Sequence, residues 1–218
     1  MAIGLGSVFG FTFMENFDHP YASGSITEFW RRWHISVGSW FRDYVYFPLG
    51  GSRGGKFKTY RNLMVTLGLS GLWHGANWTY VVWGLSHGMM MCVERGVGWN
   101  KAVWSSWKRL AHICIAFTFV MLSWVLFRAN SLTYAIIAFK QIISDWDFSY
   151  MQGTTILIMV AITVVILLCK ELVEEGLVRV SPKYTHRAFS NYLLPVSLLV
   201  CIGWLGVFDG GAFVYFQF

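Results

Sequence analysis

The feature that most constrains this chain is a run of residues, 63–93, that contains no Lys, Arg, Asp or Glu. About 20 apolar residues are enough to span a bilayer, so the run is too long for one plain span and too short for two. It carries five glycines, at positions 68, 71, 75, 84 and 88. Irregular backbone is tolerated at membrane depth only where protein or a cavity surrounds it. The run therefore predicts a broken or re-entrant helix pair buried inside a bundle.

The composition of the whole chain indicates a membrane protein. Of its 218 residues, 56% are hydrophobic and only 13% are charged, with a mean hydropathy of +0.50, whereas soluble domains carry about 25% charged residues. The net charge of +6 indicates basic cytoplasmic loops and contact with lipid headgroups. No nucleic-acid-binding signature is present. We predict an all-α fold, a polytopic membrane helix bundle that forms a single domain over residues 1–218.

Several stretches predict the parts of this bundle. Residues 26–47 place aromatic side chains on one arc of roughly 160° and arginines on the other, which predicts an amphipathic helix at the interface or along an aqueous funnel, with Thr27 as its cap. Residues 48–62 form a basic, glycine-rich loop, which the positive-inside rule places in the cytoplasm. The phosphates of a coenzyme A donor are a second possible reason for its charge. Further predicted elements are spans at 110–127, 154–168 and 192–208 and an interfacial helix at 131–143.

His74 is the first candidate for a catalytic role. An ionisable side chain deep in a membrane is costly and tends to face a cavity or a partner. If the chain is helical there, Ser70 and Asn77 lie on the same face at i−4 and i+3 and could fix the imidazole tautomer. Histidine can act as a general base on a hydroxyl because its pKa lies near physiological pH. The alternative is a core histidine bonded to a backbone carbonyl.

Two other histidines have weaker claims. His34 lies at the edge of the aromatic arc of residues 26–47, a common place for an interfacial residue. His87 follows His74 by 13 residues, which on a continuous helix is nearly the opposite face, so we interpret it as structural. No acidic residue accompanies the histidines in the run and no i, i+4 His pair occurs, so we predict no metal site. Gly84 and Gly88 form a small-xxx-small pair that predicts a helix-packing face.

The stretches SITEFWRRWHISVGSWFRDYVYFPLGGSRGG and GLSGLWHGANWTYVVWGLSHG closely resemble the membrane-bound O-acyltransferase family, above all its bacterial alginate O-acetyltransferase branch. The N-terminal IGLGSVFGFTFMENFDHPY and the terminal FVYFQF are similar to that branch too. Members of the family are roughly twice this length, so the resemblance implies that the chain corresponds to their C-terminal half. It also implies that His74 is the essential histidine in a membrane-embedded tunnel and His34 the second, with Asn77 and Trp73 beside the substrate. We add Ser70, from its i−4 spacing to His74, as a third predicted substrate-binding residue.

The resemblance implies an O-acetyltransferase of the bacterial inner membrane, with multiple spans. The donor would be acetyl-CoA or a species derived from it, used as substrate, with no bound cofactor. The acceptor would be a hydroxyl of an exported polysaccharide such as alginate, or of a periplasmic esterase-like relay partner. Alternatives are peptidoglycan acetylation, D-alanyl transfer by the same fold, and a non-catalytic membrane subunit or fragment.

Overall fold

The structure, a computed structural model, describes residues 2–99, 106–144 and 154–174. This part of the chain is helical and contains no strand, only an isolated bridge between Phe17 and Trp33, so the all-α prediction is confirmed. A 3₁₀ turn (Pro20–Ala22) precedes the second helix and a π-helical turn (Arg42–Tyr46) follows the third. The α-helices are α1 (Ala2–Val8), α2 (Ile26–Arg32), α3 (Ile35–Phe41), α4 (Lys56–Trp73), α5 (Trp78–Val97), α6 (Ser106–Arg128), α7 (Leu132–Ser144) and α8 (Thr154–Glu174).

The predicted spans can be compared with the helices of the structure, except for one span that the structure does not describe. Helix α6 contains the predicted span 110–127, and within the described residues its segment Trp107–Arg128 is the one stretch long and apolar enough to cross a membrane. Helices α7 and α8 coincide with the predicted interfacial helix and the predicted span at 154–168. The predicted span 192–208 lies outside the described residues. The number of membrane crossings therefore stays a prediction.

The uncharged run folds as a hairpin of two helices, α4 and α5, whose backbones touch. A Cβ atom built on Gly71 would overlap the carbonyl of Tyr80, and one built on Gly84 would overlap the carbonyl of Leu67. A Cβ on Gly88 would lie only 3.1 Å from the sulfur of Met64. The predicted break in the run and the predicted packing face of Gly84 and Gly88 are both confirmed. Whether the hairpin re-enters the membrane stays a prediction.

The prediction of one continuous helix over residues 26–47 was wrong. Helix α2 ends at Arg32, Trp33 is extended, and His34 takes left-handed backbone angles (φ 48°, ψ 53°) before α3 begins. The cause is a tertiary contact, since the amides of Ile35 and Ser36 donate to the carbonyl and the side-chain oxygen of Asn16 instead of to the preceding turn. Periodicity cannot reveal this competition, because the break leaves the amphipathic pattern intact.

The start of α2 is capped by two residues that the sequence pattern did not single out. Ser25, not Thr27, is the N-cap and accepts a hydrogen bond from the amide of Glu28. The carboxylate of Glu94, at the far end of α5, accepts from the amides of Ile26 and Thr27 and from the Thr27 hydroxyl. Glu94 is 1% exposed, so these bonds take the place of its hydration. They lock α2 onto α5.

Two other buried polar side chains join distant segments. Glu171 on α8 accepts a hydrogen bond from the amide of Ala22 at 2.9 Å and so fixes the 3₁₀ turn before α2. Asn62 on α4 donates to the carbonyls of Leu49 and Gly51, each at 3.0 Å, which ties the glycine-rich segment 48–55 to the hairpin. The predicted loop 48–62 is thus shorter than expected, because residues 56–62 belong to α4. A buried amide or carboxylate satisfied in this way holds its partners in a single arrangement.

We expect Gly84→Ala to destabilise the protein by about 1–3 kcal/mol, because the added methyl group forces the backbones of α4 and α5 apart. Gly96→Ala on the same helix is the matched control. Its Cβ would meet the Tyr60 hydroxyl at an ordinary 3.5 Å, and alanine is the better helix former. Denaturant titration in detergent measures both variants. Equal stability of the two would contradict the close approach at Gly84.

We expect Glu94→Gln to weaken the start of α2, because the amide NH₂ group would face the N–H donors of Ile26 and Thr27. A loss of about 1–3 kcal/mol is expected for a buried donor left without an acceptor. Hydrogen–deuterium exchange of the peptide that covers α2 should become faster. Glu15→Gln, at an exposed position, should leave this exchange unchanged, and unchanged exchange in Glu94→Gln would argue against the cap.

Candidate active site

His74 lies in the tight turn that joins α4 to α5. Helix α4 ends at Trp73, and the amide of His74 closes the last turn by donating to the carbonyl of Gly71 at 3.0 Å. The next residue, Gly75, has φ 154°, a value that side-chain-bearing residues rarely adopt. Asn77 is extended and begins α5 as its N-cap. The chain is therefore not helical through this region, and the premise that Asn77 shares a helical face with His74 was wrong.

Aromatic rings surround the His74 imidazole. The ring centroids of Trp73, Phe127 and Trp83 lie 4.8, 5.0 and 5.4 Å away and meet it edge to face, and Tyr80 follows at 6.3 Å. Such contacts hold a ring in place without using its nitrogen atoms. Neither imidazole nitrogen has a hydrogen-bond partner among the described residues. The half-buried histidine is thus oriented by packing, with both nitrogens left for other partners.

His34 reaches the same cluster from the break between α2 and α3. Its imidazole lies 6.3 Å from the ring of Trp73 and 6.0 Å from that of Phe17. Burial lowers the pKa of His34 below its usual value, so the neutral ring is favoured near pH 7. Its Nδ1 atom is buried and has no hydrogen-bond partner within the described part of the chain. The structure therefore brings both predicted catalytic histidines against one tryptophan, Trp73.

The predicted substrate-binding residues differ in how exposed they are and in whether their polar atoms already have hydrogen-bond partners. The Trp73 side chain is 55% exposed, and Ser70 is buried one turn earlier on α4. The amide of Asn77 is engaged at both ends, since its oxygen accepts from the amide of Thr79 and its nitrogen donates to the carbonyl of Asn130. Asn77 thus holds the His74 turn against the end of α6. A contact of these three residues with substrate stays a prediction.

His87 is bonded on both ring nitrogens, which fixes its tautomer. The indole N–H of Trp30 donates to Nδ1 at 3.2 Å, so Nδ1 must be the acceptor. The other nitrogen, Nε2, then carries the hydrogen and donates to the hydroxyl of Ser123 at 2.9 Å, and that hydroxyl donates to the carbonyl of Val120. This buried chain of bonds joins α2, α5 and α6 and supports the structural interpretation of His87.

The placement of His87 on the face opposite His74 rested on a continuous helix and was wrong. Because the chain turns at residues 74–77, both histidines contact one indole ring, that of Trp83, at 5.4 and 5.0 Å. The sequence analysis did not select Trp83 or Phe127. The one available signal was the i, i+4 spacing of Trp83 and His87 on α5, which is common in packed helices and points to no particular site.

No three His, Cys, Asp or Glu side chains lie together in a way that would hold a metal ion within residues 2–99, 106–144 and 154–174. The prediction of no metal site stays a prediction. The site is instead built from imidazoles and aromatic rings, with polar atoms supplied by the hairpin turn. Such an arrangement can carry out proton transfer through an imidazole nitrogen.

Comparison with known proteins places these residues in a family. The profile of the membrane-bound O-acyltransferase family matches residues 1–136, which include α1 to α6 and the histidines His34, His74 and His87. The chain belongs to the membrane-bound O-acyltransferase family. The resemblance noted in the sequence is therefore confirmed, and the matched region contains both His34 and His74.

Individual relatives add detail to the family assignment. The chain is 56% identical over 137 residues to a probable alginate O-acetylase of Pseudomonas aeruginosa, covering 62% of this chain and 26% of that protein. It is 49% identical over 158 residues to the corresponding protein of Pseudomonas syringae, covering 72% and 30%. A peptidoglycan O-acetyltransferase of Helicobacter pylori is 42% identical over 142 residues, covering 64% and 27%. The matched part thus spans less than a third of these relatives.

We expect His34→Gly to be more stable than His34→Ala by about 1 kcal/mol, because glycine adopts the left-handed backbone of position 34 without steric cost. The order should reverse at His112, which lies inside α6, since glycine is the poorer helix former. Denaturant midpoints in detergent measure all four variants. The same order at both positions would contradict the left-handed conformation of His34.

Proposed function

We propose that this chain forms the catalytic region of a membrane O-acetyltransferase that moves an acetyl group onto a hydroxyl. The observation that carries the proposal is the state of His74, an oriented imidazole with both nitrogens unpartnered among the described residues, in the segment that the family profile matches. A histidine held in this way is free to exchange a proton with a substrate. The identity to alginate O-acetylases supports acetyl as the group transferred.

In the proposed reaction, His74 acts as a general base. The imidazole accepts the proton of the acceptor hydroxyl while its oxygen attacks the carbonyl carbon of a thioester donor. The tetrahedral intermediate then collapses, the carbon–sulfur bond breaks, and the thiolate takes the proton back from the imidazolium. A transient acyl-histidine is the other route to the same products. Aromatic rings around His74 would keep water away from the activated acyl group.

The proposed reaction and the predicted membrane topology together suggest a donor and an acceptor. We propose acetyl-CoA or a derived thioester as donor, arriving from the cytoplasm, where the positive-inside rule would put the basic segment 48–62, a loop that leads into the start of α4. The acceptor would be a hydroxyl of an exported polysaccharide such as alginate, or a serine of a periplasmic esterase-like relay protein. This assignment implies a multi-pass protein of the bacterial inner membrane in which the described helices form part of a larger bundle. Neutral His34 would support binding or proton transfer beside His74.

Peptidoglycan is the second candidate acceptor, supported by the identity to a peptidoglycan O-acetyltransferase. The chemistry at His74 would be the same, and only the sugar hydroxyl would differ. D-alanyl transfer by the same fold would replace the acetyl donor with a D-alanine carrier. A neighbouring gene for a periplasmic esterase-like protein favours polysaccharide acetylation, whereas one for a D-alanine carrier protein favours D-alanyl transfer.

We expect this chain to support acetylation of the exported polysaccharide in a strain that lacks its own O-acetyltransferase. The assay compares the chain alone with a chimera in which it replaces the matching segment of the Pseudomonas aeruginosa relative. In whichever version is active, His74→Ala should lower acetylation by at least about 10²-fold, because the general base is lost. His112→Ala, whose ring packs on Trp99, is the matched control and should retain activity.

Each result of this assay supports or contradicts a specific part of the proposed function. Activity of the chimera alone would mean that the catalytic histidine needs the rest of the bundle. Acetylation that persists in His74→Ala would overturn the proposed mechanism. Acetyl groups found on peptidoglycan, or D-alanine found on the acceptor, would reassign the substrate. Absence of acyl transfer in both versions, with ion or solute flux that does not depend on His74, would favour a conducting or scaffolding subunit.

A further inference from the structure

The indole N–H of Trp83 is a buried hydrogen-bond donor without an acceptor. The side chain is 2% exposed, and its Nε1 atom has no hydrogen-bond partner in the part of the chain that the structure describes. A buried donor left unpaired destabilises a fold, and most buried polar groups in native proteins are paired. The ring of Trp83 packs against that of His74 at 5.4 Å, so a ligand held at His74 would lie close enough to supply the missing acceptor.

The neighbouring rings cannot supply that acceptor, with one exception. Trp30, Trp124 and Phe127 carry no acceptor atom on their rings. His87 packs at 5.0 Å, but both of its nitrogens are occupied by Trp30 and Ser123. Among the described rings in contact with Trp83, only His74 has a nitrogen free to accept a hydrogen bond. The proposed reaction uses this His74 nitrogen for the proton of the acceptor hydroxyl.

Trp83 and Trp30 differ in whether the indole N–H has a hydrogen-bond partner. Both are tryptophans in the same aromatic cluster, with ring centroids 5.7 Å apart. The N–H of Trp30 is satisfied by His87 at 3.2 Å, which leaves it no capacity for a ligand. The N–H of Trp83, by contrast, has no hydrogen-bond partner within the described part of the chain. The His87 chain of hydrogen bonds therefore orients the cluster and leaves the buried indole N–H of Trp83 without a partner among the described residues.

We propose that the Trp83 indole N–H donates a hydrogen bond to the acyl carbonyl oxygen of the donor bound at His74. The inference rests on the proposed function and adds a substrate-binding residue to it. Negative charge grows on the carbonyl oxygen when the acceptor hydroxyl attacks, and a fixed donor in a water-poor site stabilises that charge strongly. The ligand class is thus an acyl thioester, recognised through its carbonyl group as well as its thiol carrier.

The test compares Trp83→Phe with Trp30→Phe in the version that is active in the acetylation assay. Both substitutions remove an indole N–H and keep an aromatic ring, so they differ in whether the N–H already has a protein partner. The probes are acetyl-CoA and its thioether analogue S-ethyl-CoA, which lacks the carbonyl. Affinity for each probe, kcat and KM are measured in nanodiscs.

We expect Trp83→Phe to lose the preference for acetyl-CoA over the thioether and to lower kcat by about 10²-fold, the usual effect of removing one such donor. Trp30→Phe should keep the preference, even if its stability falls. An unchanged preference and kcat in Trp83→Phe would overturn the inference, since the N–H would then make no hydrogen bond to the acyl carbonyl. Absence of acetyl transfer in the unsubstituted protein would instead overturn the proposed function.

A second measurement covers the case in which Trp83→Phe does not fold. With ¹⁵N-labelled indoles in the unsubstituted protein, one N–H resonance should shift when acetyl-CoA binds and stay in place when S-ethyl-CoA binds. A hydrogen bond to the carbonyl is the physical reason for that difference. If both probes move the same resonances, or neither moves any, Trp83 does not recognise the carbonyl and the inference is wrong.

Discussion

The close contact between α4 and α5 is the constraint on which the rest of the described structure depends. Gly71 and Gly84 let each backbone rest on a carbonyl of the other helix, which no larger residue would permit. Close approach of this kind is a familiar use of small residues where helices pack in membranes. The hairpin includes a tight turn at residues 74–77, and that turn places the His74 ring against Trp83 of α5 and Phe127 of α6.

Buried polar groups fasten the shorter segments onto this hairpin. Glu94 holds the start of α2 from one end of α5, and Asn77 holds the end of α6 from the other. Glu171 secures the 3₁₀ turn before α2. Glu94 satisfies amides that the start of α2 would otherwise leave unpaired, so it fixes where that helix begins. The segment that carries His34 is positioned by these bonds together with the apolar core, in which Ile26 and Phe29 of α2 are buried.

The aromatic cluster determines the chemical environment of His74 and His87. The two-sided hydrogen bonding of His87 makes it a rigid, neutral part of the wall, whereas His74 keeps its nitrogens unoccupied by the described residues. Two histidines in contact with the same indole ring thus differ in what they can do, because of their hydrogen bonds and not their residue type. That contrast is the physical basis for assigning chemistry to His74.

The sequence alone determined the class of the protein, the broken uncharged run, the Gly84 and Gly88 packing face and the candidacy of His74 and His34, because hydropathy, small-residue spacing and family motifs are local properties of the chain. Tertiary structure decided the rest. Asn16 breaks the predicted helix at His34 by taking the amides of Ile35 and Ser36, and the hairpin brings His87 and Trp83 to His74. Both outcomes depend on contacts between residues far apart in sequence, which no periodicity records.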